Sequence, residues 1–139
     1  MKTTATKEIT FDMAHRLSFH EGKCKNIHGH TYKLQATFEA DVLENGLVVD
    51  FYNINTLLKK ITDVFDHSIM LYNGDGVNVV LLSVLKQCGM KIVETDYEPT
   101  AENMAKEIFE ILSNKNTDRC RVTKVRLYET PTSYAEVIK

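Results

Sequence analysis

The chain has 139 residues, 43% hydrophobic and 26% charged, with a formal net charge of -2 at pH 7. That length allows one domain, residues 1–139, with a sizeable core, and a near-neutral balance without a basic stripe excludes nucleic acid as a natural partner. No apolar run approaches the roughly 20 residues that span a bilayer, the opening MKTTATKEITF has no hydrophobic signal core, and the widely separated Cys24, Cys88 and Cys120 argue against a disulfide framework and for a reducing cytoplasm.

Residues 7–15 alternate: Ile9, Phe11, Met13 and His15 share one face, as in a half-buried strand. A loop follows, with Gly22 and Asn26 as turn formers. His30, Tyr32, Leu34, Ala36, Phe38 and Ala40 then line one face of a second strand, and ENG at 44–46 signals a turn. From Phe51 the period becomes helical. Ile54, Leu57, Leu58, Ile61 and Phe65 fall on one stripe, with Asp50 as N-cap. A second helical stripe runs through Val77, Val80, Leu81, Val84 and Leu85 and stops at Gly89. Thr100 caps a third helix, whose core face is Met104, Ala105, Ile108, Ile111 and Leu112. Two strands, 121–129 and 133–138, close the chain. Strands grouped apart from helices predict an α+β fold with an antiparallel sheet under helices.

The chemistry-bearing residues cluster around CKNIHGHTY, residues 24–32. His28 and His30 are two apart, so on extended chain both rings lie on one side. His15 ends the apolar face of the first strand. A hairpin of the two strands brings it to the same end. Taken singly, each is an ordinary loop or strand histidine. Together, three neutral imidazoles with one open position form a typical catalytic zinc site. Cys24 has two readings: a fourth ligand that closes a structural site, or a thiol beside the metal that needs a neighbouring base. FDHS offers such a base in His67, with Asp66 to polarise it; a turn role is the bland alternative. Glu129 ends an apolar strand face with Val125 and Leu127. It is either solvated at the rim or buried against a donor edge that a carboxylate accepts bidentately.

Six segments in order, FDMAHRL, CKNIHGHTY, GLVVDF, FDHSIMLY, PTAENMA and YET, resemble the 6-pyruvoyl-tetrahydropterin synthase family, which includes the 6-carboxytetrahydropterin synthases of queuosine biosynthesis. The resemblance implies a T-fold (tunnelling fold) with a four-stranded antiparallel sheet and helices on one face. It implies sheets closed into a barrel by three chains, two trimers stacked as a hexamer, and active sites between subunits. It also implies zinc on His15, His28 and His30, a catalytic thiol at Cys24, a second catalytic group at Asp66 and His67, and a pterin anchor at Glu129. The three-residue gap KNI between Cys24 and His28 resembles the carboxytetrahydropterin branch. That branch converts 7,8-dihydroneopterin triphosphate to 6-carboxy-5,6,7,8-tetrahydropterin, with triphosphate and acetaldehyde released. The alternatives are 6-pyruvoyl-tetrahydropterin synthase on the same substrate and, from another class, a non-catalytic zinc-stabilised binding module. The segment 73–97 departs from the pattern, being longer than the loop expected there.

Overall fold

The structure, a computed structural model, describes all 139 residues. The two alternating segments form β1 (Thr3–His15) and β2 (His28–Ala40), each longer than its periodicity alone indicates. They pair antiparallel over their whole length, from Thr3 opposite Ala40 to His15 opposite His28. Period-2 alternation makes this register self-consistent. Phe11 and Met13 of β1 and Tyr32, Leu34, Ala36, Phe38 and Ala40 of β2 all fall on one buried face.

Two helices cover that face: α1 (Phe51–Phe65), through Ile54, Leu58, Ile61 and Phe65, and α3 (Ala101–Ser113), through Met104, Ala105, Ile108 and Leu112. Asp50 caps α1 by accepting the Tyr52 N–H at 2.8 Å, and Thr100 caps α3 by accepting the Asn103 N–H at 3.2 Å. The ENG turn is real: Asn45 and Gly46 both have positive φ, 53° and 80°, between the bridged residues Glu44 and Leu47.

The expected four-stranded antiparallel sheet is corrected to a mixed sheet of six strands. Beside β5 (Cys120–Thr130) and β6 (Ser133–Ile138), two short strands flank the middle helix α2 (Gly76–Gln87): β3 (Ser68–Tyr72) and β4 (Ile92–Thr95). The sheet order is β4-β3-β1-β2-β5-β6, with β3 parallel to β1 and β4 parallel to β3. Hydrogen bonding to distant strands stabilises these five- and four-residue segments, which are too short to display a period of their own. β3, α2 and β4 form a crossover unit, which is the way parallel neighbours must be joined. The segment 73–97 is therefore ordered architecture.

The apolar stripe expected to bury α2 is also corrected. Val77, Val80 and Val84 are exposed, and the buried pair is Asn78 and Leu82. Polar anchoring of the helix start turns it this way. Asp75 caps α2 and binds Arg16, and Asn78 Nδ2 donates to the Tyr72 carbonyl at 2.8 Å.

Candidate active site

The end of the β1–β2 hairpin carries the histidines. His15, fully buried, lies opposite His28, and His30 is one side-chain repeat further along the same face. Their ligand atoms lie within 4.8 Å of one another. His15 Nδ1 donates to the Pro99 carbonyl at 2.7 Å, and His28 Nδ1 donates to the Asn26 carbonyl at 2.8 Å. With those protons on Nδ1, both Nε2 atoms carry bare lone pairs, and they face each other at 3.2 Å. Two acceptors at that separation repel unless a cation lies between them. His30 Nε2 is buried and has no hydrogen-bond partner. Three converging imidazole nitrogens, with the His15 and His28 rings oriented by carbonyls and His30 Nε2 unpartnered, fit a resident metal ion. Burial lowers the affinity of His15 and His30 for protons, opposed by the nearby Glu129 carboxylate. Neutral imidazole is the form a metal needs.

Cys24 lies outside this group. It sits in a single 3-10 turn, Lys23–Lys25, as a half-buried free thiol. Its carbonyl accepts the Leu17 N–H at 2.9 Å, and that of Lys25 accepts Arg16 Nε–H at 2.8 Å. The loop is thus fastened to the residues that follow His15.

Asp66 and His67 form a pair at the end of α1. Asp66 accepts the Asp12 N–H at 2.9 Å and His67 Nδ1–H at 2.8 Å. These two bonds, the first the stronger influence, hold its carboxyl below the usual carboxylate range. His67 has φ 57°, and its N–H donates to the Asp12 carbonyl at 2.7 Å. A left-handed non-glycine residue held by its neighbours is the kind of backbone strain found at functional sites. The His67 side chain is 78% exposed, and no hydrogen bond joins it to Cys24 within the chain.

Glu129 is half-buried, one residue before the end of β5. The β5–β6 register shifts between Tyr128 and Thr130, which leaves Glu129 unpaired in a bulge. A bulge re-aims a side chain, and Glu129 Oε1 lies 3.4 Å from His15 Nε2 and 3.7 Å from His30 Nε2. Two clefts open beside the cluster and share Gly29, His30 and Thr31: one of about 470 Å³ reaches His67, and one of about 510 Å³ reaches Glu129. The Pro99 carbonyl was not foreseeable, since 84 residues separate it from His15. Arg16 carried a signal: a charge directly after an apolar strand face must find partners if it is buried.

The model of the family described as 6-pyruvoyl tetrahydropterin synthase matches residues 4–139. The chain belongs to that family. It is 37% identical to the 6-carboxy-5,6,7,8-tetrahydropterin synthase of Haemophilus influenzae, over 94% of this chain and 95% of the relative. It is 38% identical to the protein of that name from Rickettsia bellii, over 95% and 97%. Among solved structures, an uncharacterised protein of Wolinella succinogenes superposes with a TM-score of 0.88 at 22% identity, covering 100% of this chain and 99% of that one. The 6-pyruvoyltetrahydropterin synthase of Plasmodium vivax superposes with 0.77 at 17%, covering 100% and 98%. These share the T-fold. By family the protein is an enzyme, a lyase of the tetrahydropterin synthases. No helix is long and apolar enough to cross a membrane.

Proposed function

We propose that this enzyme is a zinc-dependent lyase that converts 7,8-dihydroneopterin triphosphate to 6-carboxy-5,6,7,8-tetrahydropterin, with triphosphate and acetaldehyde as the other products. The observation that carries the reading is the convergence of the imidazole nitrogens of His15, His28 and His30, with His30 Nε2 buried and unpartnered, beside the Glu129 carboxylate. Zinc bound there supplies a Lewis acid toward the side-chain hydroxyls of the substrate.

The protein groups do the rest. Glu129 accepts the paired N–H donors of the pterin's pyrimidine edge, and its bulge sets that edge against the three imidazoles. Cys24, not being a ligand, leaves a position for substrate open and acts as a proton-transferring thiol. His67, with Nδ1–H held by Asp66, has its Nε2 bare to accept and return a proton. The lack of a contact between His67 and Cys24 in one chain supports a site completed between subunits, in a hexamer built as a dimer of trimers. Cytoplasmic location and a role in queuosine biosynthesis follow from the same reading.

The KNI gap and the names of the curated relatives favour the carboxy product over the pyruvoyl one. The test is anaerobic incubation of the zinc-loaded enzyme with dihydroneopterin triphosphate, followed by mass spectrometry. Acetaldehyde and a carboxypterin are expected. Triphosphate release with a pyruvoyl pterin and no acetaldehyde overturns the product while leaving the family intact.

A further inference from the structure

Arg16 is a charged residue only 9% exposed, and every polar contact it makes bridges two parts of the site's frame. Its Nε–H donates to the Lys25 carbonyl at 2.8 Å. Its Nη1 donates to Asp75 Oδ2 at 2.9 Å and to Asn78 Oδ1 at 2.6 Å. Asp75 is the cap of α2, and Asn78, fully buried, is tied to the Tyr72 carbonyl at the end of β3. The guanidinium therefore connects the β3–α2 junction to the loop that carries Cys24.

The three consecutive carbonyls of Cys24, Lys25 and Asn26 are each held by a different donor. Leu17 N–H holds the first at 2.9 Å, Arg16 Nε–H the second at 2.8 Å and His28 Nδ1–H the third at 2.8 Å. Two of these donors directly follow His15 in the chain, and the third is itself one of the converging imidazoles. The 3-10 turn Lys23–Lys25 has no buried residue. Apolar packing does not fix it, so these bonds must. Of the three donors, His28 belongs to β2, and Arg16 is the one whose side chain also reaches the start of α2.

We infer that Arg16, braced by Asp75 and Asn78 at the start of α2, is a positioning residue that sets the place of the Cys24 thiol relative to the histidine cluster. The inference rests on the reading of Cys24 as the reacting thiol. It assigns a purpose to the ordered 73–97 segment: α2 presents two fixed acceptors to one guanidinium. Lysine cannot replace it, because a single ammonium on a flexible stem cannot satisfy a planar fork of acceptors on two sides.

The test compares wild type with Arg16→Lys and Asp75→Asn in the full-length zinc-loaded protein. Asparagine caps a helix as well as aspartate, so Asp75→Asn keeps α2 folded while removing the charge that holds Arg16. Four quantities are read: zinc per chain, kcat, KM, and the alkylation rate of Cys24 relative to Cys120, by peptide mass spectrometry with iodoacetamide. Cys120 starts β5, away from the bridge, and is the internal reference. Zinc stoichiometry is expected to stay at wild type. We expect kcat to fall about tenfold or more in Arg16→Lys and less in Asp75→Asn, with KM changed by no more than about twofold, as for a misplaced reacting group. The Cys24 to Cys120 ratio is expected to rise at least about fivefold as the loop loosens, since thiol reactivity follows access. A wild-type ratio in both folded variants overturns the inference. If the wild-type enzyme fails to turn over the pterin, the proposed function fails, and the alkylation ratio, which needs no substrate, still decides the role of Arg16.

Discussion

At the scale of single residues, the proposed function divides the site between three imidazoles that would hold a metal and a thiol that would transfer a proton. His28 illustrates the first. Its Nδ1 is spent on the Asn26 carbonyl, so its Nε2 has no proton to donate and faces His15 Nε2 at 3.2 Å. Removing the ring deletes one donor and frees the loop carbonyl. His28→Ala should emerge from purification with little zinc and little activity, as measured by metal analysis. Full zinc content in that variant would exclude His28 as a ligand. Cys24 should behave in the opposite way. Its sulfur is outside the imidazole group, so Cys24→Ala should keep one zinc per chain and the wild-type melting temperature while losing turnover. Loss of zinc with the thiol would mean a closed four-ligand site. Sequence spacing placed the three histidines together because a strand repeats every two residues, and pairing His15 with His28 needs only the register that buries the apolar face. Spacing could not show Glu129 turned toward them. That orientation depends on a one-residue bulge, which no alternation pattern records.

At the scale of elements, the site hangs on the ends of strands and the starts of helices. The start of α3 shows how closely these are joined. Thr100 caps the helix, and the residue before it, Pro99, offers the carbonyl that orients His15. Thr100→Ala removes the cap and should cost about 1 kcal/mol of stability in urea unfolding, the usual loss for such a change. Zinc should still bind at one per chain, because the His15 bond uses backbone. A stability unchanged from wild type would show that packing of Met104 and Ile108 alone holds that turn. α1 and α3 were legible because each carries a one-sided apolar stripe and a cap. α2 was legible as a helix and misread as to its face: valine periodicity pointed outward, while Asn78 and Leu82 turned in to meet Tyr72 and the sheet. A polar residue that is fully satisfied inside outweighs a stripe of valines, because leaving it unpaired in the core costs more than exposing small apolar side chains.

At the scale of the whole molecule, one chain leaves its sheet open. β4 and β6 are unpaired edges, and Val42, Phe51 and Tyr52 are exposed apolar side chains. Open edges are surfaces that proteins cover, and the site proposed to be shared between subunits calls for the same here. Light scattering should give a mass of six chains of 15.9 kDa each. A monomer that retains full activity would show that Cys24 and His67 act within one chain. The sequence by itself determined the helical stripes, the long hairpin, the caps at Asp50 and Thr100 and the identity of the residues that can bind metal or carry protons. All of these rest on local period and side-chain chemistry. Only the tertiary structure decided the two parallel strands, the inward face of α2, the bulge that aims Glu129, and the Pro99 and Arg16 contacts. Each of these joins residues far apart in the chain, and a contact of that kind is selected by competition among all the surfaces that must be buried and all the polar groups that must be paired.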